Sequence, residues 1–347
     1  MQAQAEESGL DQKIIGISIG DYNGIGPEVV IKALSDNRLL RKARVVIYGS
    51  TRILSYYRKT LKLSNFNYQT IQSPDEARAK KISVINVNDD QLEINPGTVT
   101  QEAGQFAFQS LERATQDLRS GAIDALVTAP INKKNIQSEE FNFPGHTEYL
   151  TKSLGAKESL MLMVCEDLRV GVATGHIPVE KIKDKLTAEG LKQKILLLDK
   201  SLREDFGIQR PRIAVMGLNP HAGEDGLLGT EEQELIDPVI RDLRNEGKFV
   251  YGPFSADGFF GKGQFSKYDG ILAMYHDQGL VPFKTLASGS GINFTAGLSG
   301  VRTSPDHGTA YDIAGKGTAD ENSFRQAFYL ALDICHTREG DKIQVQL

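Results

Sequence analysis

Apolar and polar positions along the chain switch repeatedly between two periods. Short apolar runs at residues 13–19, 44–49, 82–87 and 122–127 have the length and β-branched content of strands. Between them, apolar residues recur at helical spacing. Phe106, Ala107, Leu111, Ala114 and Leu118 mark one face of a helix over 101–119. Residues 27–40 read as an amphipathic helix with proline in its first turn, and Ser50-Thr51 can cap the helix that follows the second strand. This alternation predicts an α/β fold with a mostly parallel sheet and helices on both faces.

Three further apolar runs each stop just before a histidine: Arg169-Val-Gly-Val-Ala-Thr-Gly-His176, Ile213-Ala-Val-Met-Gly-Leu-Asn-Pro-His221 and Gly270-Ile-Leu-Ala-Met-Tyr-His276. Each reads as a buried strand ending in a turn, with the histidine at or just past its carboxyl end. In an open parallel sheet that end is where ligands bind. Three of the six histidines would then face one crevice, as a divalent-metal site with an open coordination position requires.

The loop near 130–144 and the glycine-rich stretch 279–300 break the rhythm. They predict a discontinuous first domain, residues 1–129 and 280–347. Residues 130–279, which hold the three strand-end histidines, would form the second, and the active site would lie in the cleft between the two. A length of 347 residues suits two such domains.

Composition narrows the class. Net charge is −5 without a long basic run, so a nucleic-acid partner lacks electrostatic support. No apolar stretch approaches membrane-spanning length. Cys165 and Cys335 are far apart and without metal spacing, which fits a reducing cytoplasm. The start, Met1-Gln-Ala-Gln-Ala-Glu-Glu-Ser-Gly, is polar and acidic, unlike a signal or transit peptide, and reads as a loose tail.

The turn Gly20-Asp-Tyr-Asn-Gly24-Ile-Gly26-Pro-Glu28 follows the first strand. Its spacing fits neither phosphate-binding glycine motif, and Glu28 would repel a phosphate there. A tight strand-to-helix turn is the alternative.

This opening, together with His307-Gly-Thr-Ala-Tyr-Asp-Ile-Ala-Gly-Lys-Gly317, resembles the isocitrate and isopropylmalate dehydrogenases. The resemblance implies two α/β/α domains and NAD, or NADP, held by loops outside the Rossmann scheme, with His307, Gly308, Thr309, Asp312 and Gly315 as cofactor-binding residues. Those enzymes hold metal with aspartates, whereas histidines stand here. With Phe143-Pro-Gly-His-Thr-Glu148, Asn219-Pro-His-Ala-Gly223, Tyr275-His-Asp-Gln-Gly-Leu280 and Pro282-Phe-Lys284, the chain resembles the 4-hydroxythreonine-4-phosphate dehydrogenase family from about residue 14 to 330. Family members often carry Pro-Ala where this chain has Tyr22-Asn23, which leaves the exact substrate open.

That resemblance implies His176, His221 and His276 as metal ligands, with the His276 equivalent supplied by the partner subunit of a homodimer whose active site is shared. Imidazoles suit zinc, with magnesium or cobalt as alternatives. It also implies His146, Thr147, Lys284, Asn293 and Arg302 as substrate-binding residues. Among these, Arg302 and Lys284 suit charge-assisted bonds to phosphate or carboxylate. Lys284, Asp257 and Asp277 are the candidates for acid–base or ligand-orienting roles. Helix capping or turn formation is the alternative for Asp257. His336 reads as a surface residue.

The implied reaction is NAD-dependent, metal-assisted oxidation of 4-phosphooxy-L-threonine to 2-amino-3-oxo-4-phosphooxybutanoate. That product decarboxylates to 3-amino-2-oxopropyl phosphate, on the way to pyridoxal 5'-phosphate. Alternatives are a dehydrogenase of threonate or erythronate 4-phosphate, a metal-dependent hydrolase or aldolase, and a non-enzymatic binder of phosphorylated ligands. NAD-dependent turnover, and activity without an amino group, separate them.

Overall fold

The structure, a computed structural model, describes residues 12–88 and 92–345. The stretch read as a loose N-terminal tail lies outside the described residues. The strands are β1 (Ile14–Ser18), β2 (Arg44–Gly49), β3 (Tyr68–Thr70), β4 (Ile82–Asn86), β5 (Ala125–Thr128), β6 (Leu160–Cys165), β7 (Leu168–Thr174), β8 (Ile213–Met216), β9 (Val250–Phe254), β10 (Gly270–Tyr275), β11 (Ile292–Ala296) and β12 (Val301–Pro305). The helices are α1 (Gly26–Leu34), α2 (Asn37–Lys42), α3 (Thr51–Thr60), α4 (Gln101–Ser120), α5 (His146–Ser153), α6 (Ile182–Lys185), α7 (Ala188–Glu204), α8 (Asp237–Asn245), α9 (Ala256–Gly261), α10 (His276–Ala287) and α11 (Asn322–Val345). Among the described residues, no helix is long and apolar enough to cross a membrane.

These elements form two compact units, one made of residues up to Lys157 with Leu298–Cys335, the other of Glu158–Gly297 with the residues from His336 on. The first unit carries a parallel sheet in the order β3-β4-β2-β1-β5-β12. All five residues of β1 are buried, the signature of a strand covered on both faces. Helix α4 lies across β1, β2 and β5 and buries Phe106, Ala107, Leu111, Ala114 and Leu118, the stripe expected from their spacing. Ser50 caps α3 by accepting from the Arg52 amide. The helix expected over 27–40 is two helices. The Ser35 hydroxyl donates back to the Ile31 carbonyl, and Asp36 starts α2 by accepting from the Arg38 amide.

The second unit has the order β11-β6-β7-β10-β8-β9. Pairs β7–β10, β10–β8 and β8–β9 are parallel, and β11–β6 and β6–β7 are antiparallel. The fold is thus mostly parallel α/β in both units.

The borders lie at Lys157/Glu158 and Gly297/Leu298 rather than near 129 and 280. Ile136, Phe141, Tyr149 and Leu150, which follow residue 129, pack with Tyr48, Phe108 and Leu111 in the core of the first unit. Leu280, Phe283 and Ala287 of α10 share the second unit's core with Val170 and Ile271, and β11 pairs with β6. Apolar burial sets the borders, and the second of them falls near the far end of the glycine-rich stretch 279–300 rather than at its start.

Candidate functional site

The strands that precede the three histidines, β7, β10 and β8, are parallel neighbours in the second unit. Adjacent strands lie ~4.8 Å apart, so the three carboxyl ends fall within roughly 10 Å. His176 stands two residues beyond β7 and is exposed, and His276 is the first residue of α10. Their ring centroids are 5.6 Å apart. Two imidazoles at neighbouring strand ends are the donor chemistry that suits a borderline metal such as zinc. His276 Nδ1 meets the Asp277 carboxylate at 2.7 Å, which fixes the ring and leaves Nε2 for coordination.

His221 arrives on an unusual turn. After β8, residues His221 to Asp225 all have left-handed backbone, with φ of 53°, 51°, 82°, 42° and 54°. Left-handed conformation costs ~1–2 kcal/mol for each non-glycine residue, hence about 4–8 kcal/mol over the four here. Surrounding bonds must offset that. The Asn219 carbonyl accepts from the Ala222 amide, and the Gly223 carbonyl accepts from the Leu228 amide. The buried Glu232 carboxylate accepts from the Leu218 and Asn219 amides, both at 2.7 Å, and from Asn219 Nδ2 at 3.0 Å. Gly223 is required there: a Cβ would sit 2.6 Å from Glu232 Oε2.

Gln278 ties the two histidine-bearing segments. Its Oε1 accepts from the Met274 amide at 2.7 Å, and its Nε2 donates to the Gly217 carbonyl at 2.6 Å. Asp257, exposed on α9, is held below the usual carboxylate range, first by the Ser255 hydroxyl and then by the Gly258 amide, with the His221 imidazole a weaker influence. Among the described residues no three His, Cys, Asp or Glu side chains close into a complete cage. The structure brings His176 and His276 together, and His221 does not complete a triad with them. Lys284 is exposed on α10. Asn293 on β11 has a buried Oδ1 without a hydrogen-bond partner, a vacancy suited to a donor.

In the first unit Arg302 on β12 is only 2% exposed. Its Nε and Nη2 donate to the Thr128 hydroxyl at 3.2 and 2.7 Å. Burial pushes the guanidinium down to about 9, slightly countered by Glu148, so it remains a cation at neutral pH. His146 opens α5 after the extended Gly145, with Thr147 beside it. The His146 Nε2 is buried without a hydrogen-bond partner. Burial, then the positive charge of Arg302 and Lys133, holds this imidazole well below 6.5.

A neutral His146 has a measurable consequence. The unfolded chain binds a proton below 6.5 that the folded site refuses, so stability falls as pH drops through that value. Each pH unit below it is expected to cost about 1.4 kcal/mol from this residue. Denaturant unfolding between pH 7 and 5 should therefore show a shallower loss in His146→Asn than in the wild type. Equal slopes would mean that the imidazole charges freely in the folded state.

The segment from His307 to Gly317 packs on the glycine turn of the same unit. The Thr309 carbonyl accepts from the Ile25 amide at 2.9 Å, and a Cβ on Gly24 would lie 2.8 Å from that carbonyl. Tyr311 donates its hydroxyl to Asp21 at 2.8 Å. Burial and that carboxylate push the phenol up. Glu28 is fully buried and accepts from the Ala319 and Gly317 amides, while Lys32 donates to the carbonyls of the same two residues. The glycine turn is thus a strand-to-helix turn that carries the second loop. His307 is half-buried and is also shifted down by burial, Gly308 and Asp312 are exposed, and Gly315 presses on Pro96. Tyr22, fully buried, meets Phe106 edge-on at 5.5 Å, and the buried Asn23 holds the Asn95 amide through its Oδ1 at 2.8 Å. Their visible work is packing. His336 is exposed.

Sequence reasoning missed Glu232, Gln278 and the Glu28–Lys32 pair. Glu232 sits in the run Glu231-Glu-Gln-Glu234, which reads as a solvated helix face, and no local pattern marks it as buried.

A profile of the family described as pyridoxal phosphate biosynthetic protein PdxA matches residues 41–331. A 4-hydroxythreonine-4-phosphate dehydrogenase from Bacteroides thetaiotaomicron is 50% identical over 94% of this chain and 90% of its own length. A D-threonate 4-phosphate dehydrogenase from Cupriavidus necator is 40% identical over 94% of this chain and 98% of its own. The crystal structure of 4-hydroxythreonine-4-phosphate dehydrogenase from Klebsiella pneumoniae aligns with a TM-score of 0.81 at 37% identity, covering 95% of this chain and 99% of that one.

Proposed function

The chain belongs to the PdxA family, and from that premise we propose that it is a dehydrogenase which oxidises the secondary hydroxyl of 4-phosphooxy-L-threonine. The oxidised product, 2-amino-3-oxo-4-phosphooxybutanoate, then loses carbon dioxide to give 3-amino-2-oxopropyl phosphate for pyridoxal 5'-phosphate synthesis. The observation that carries this reading is the 50% identity, over nearly the whole chain, to a relative of that name. A second reading, oxidation of D-threonate 4-phosphate, is favoured by the relative so named at 40% identity.

The residues take the following roles. Arg302 and His146 receive the anionic end of the substrate, the first as a buried cation and the second as a neutral imidazole with a buried nitrogen to offer. Thr147, Asn293 and Lys284 orient its polar groups. His176, His221 and His276 hold a divalent ion, zinc by the preference of imidazole ligands, with magnesium or cobalt as alternatives. When bound, that ion supplies Lewis acidity at the substrate hydroxyl and NAD, or NADP, supplies the hydride acceptor. Asp277 orients His276 through its 2.7 Å contact. Asp257, with its carboxyl held low, is a poor proton acceptor near neutral pH and acts on His221 by charge. Lys284 Nζ takes the hydroxyl proton. His307, Gly308, Thr309, Asp312 and Gly315 form the cofactor loop.

A homodimer in the cytoplasm completes the reading, with His276 serving the partner's site. Val179, Leu227, Leu228, Val281 and Leu286 support it. These exposed large apolar residues all follow one of the three histidines within about ten positions.

The test is NADH formation at 340 nm with 4-phosphooxy-threonine and, separately, threonate 4-phosphate, each with added zinc, magnesium or cobalt and with a chelator. Chelator-sensitive turnover of the amino substrate is expected. Turnover confined to threonate 4-phosphate selects the second reading, and no NAD reduction with either substrate defeats both.

A further inference from the structure

We propose that Glu232 is the positioning residue of the metal site, the group that sets the His221 imidazole where an ion can use it. This rests on the reading of His176, His221 and His276 as ligands. Two of those histidines stand on ordinary geometry, one just past a strand and one at a helix start. His221 alone rides on five consecutive left-handed residues, a conformation that four of them would not adopt unaided.

The Glu232 carboxylate is what the turn is built around. It is 3% exposed and makes no ion pair with Lys or Arg among the described residues. Its charge is met instead by donors from the residues entering the turn. Oε1 takes the amides of Leu218 and Asn219, and Oε2 takes Asn219 Nδ2. On the far side Gly223 lies against Oε2 so closely that a Cβ would be 2.6 Å away. The carboxylate therefore touches the turn on both sides of His221. It reaches that place from the π-helical turn Glu232–Ile236, a wide turn of the type found at functional sites. Neighbouring Glu231 adds a second acceptor for Asn219 Nδ2 at 2.8 Å and is tied to Lys183.

Glutamine at position 232 is the discriminating change. Its single carbonyl oxygen can still accept both amides, but its amide nitrogen would face Asn219 Nδ2, donor against donor. The turn would persist with a loosened His221. Groups that orient a ligand histidine are typically worth 10–100-fold in metal affinity, and that loss is expected here.

The experiment measures zinc affinity of the metal-free full-length protein by competition with a chromophoric chelator, and the visible spectrum of the cobalt-loaded form. Wild type, Glu232→Gln, Asn219→Ala and His221→Ala are compared, each with a melting curve of the metal-free protein. Glu232→Gln should bind zinc at least tenfold more weakly and show an altered cobalt band while still folded at the assay temperature. Asn219→Ala, which removes one of the three donors, should be several-fold weaker and decides the matter if Glu232→Gln does not fold. A purely structural role would move the melting curve and leave the affinity of the folded protein unchanged, and that result overturns the proposal. If His221→Ala itself binds zinc like the wild type, the histidine reading fails and the proposal with it. If His221→Ala loses zinc while Glu232→Gln and Asn219→Ala keep it, only the positioning role fails.

Discussion

Alanine at His221 is expected to lower kcat/KM for the phosphorylated substrate by about 10³-fold or more. A Lewis acid contributes several kcal/mol at the transition state, and each ~1.4 kcal/mol is a factor of ten in rate. The side chain is exposed, so its removal should cost little stability, about 0.5 kcal/mol or less. Alanine also pays the same left-handed backbone cost that histidine pays there, so the turn gains no new strain. Steady-state NADH production should collapse and the metal content of the purified protein should fall together, while the melting temperature holds. Activity within a few-fold of the wild type would remove His221 from the ligand set and leave the strained turn without a catalytic purpose.

Methionine at Arg302 should separate binding from stability in the opposite way. Truncating one partner of a buried charge-assisted contact typically costs 2–5 kcal/mol, so KM for the phosphorylated substrate should rise about 10²-fold or more. The ligand-free protein should melt at the same temperature or higher. Burial already presses the guanidinium toward its neutral form, holding it at about 9, and exchanging a buried ion for an apolar side chain of similar volume is often neutral or stabilising. The Thr128 hydroxyl loses two donors, a loss of about 1 kcal/mol that tempers the gain. A melting temperature that drops sharply while KM stays unchanged would make Arg302 a structural residue and the substrate assignment wrong.

The alternating periods were enough for the α/β class, for α4 with its buried stripe, for the Ser50 cap and for the strands that end at the histidines. Each of these depends on neighbours in sequence. Side-chain direction along a helix or strand follows from position alone, and so does a cap. The resemblance in the glycine turn and the 307–317 loop was also readable as text, though not that one holds the other through Thr309, Tyr311 and Glu28.

Tertiary packing decided the rest. It moved the borders to Lys157 and Gly297, because Phe141 and Phe283 are buried by residues distant in sequence. It made neighbours of β7, β10 and β8, although more than 35 residues separate each from the next. It turned Glu232 from one acid in a charged run into the buried anchor of a left-handed turn. A carboxylate is buried only where donors converge on it, and the amides that converge here belong to residues 13 and 14 positions away. Local sequence fixes what a residue can offer, and long-range contacts fix whether water or protein receives it.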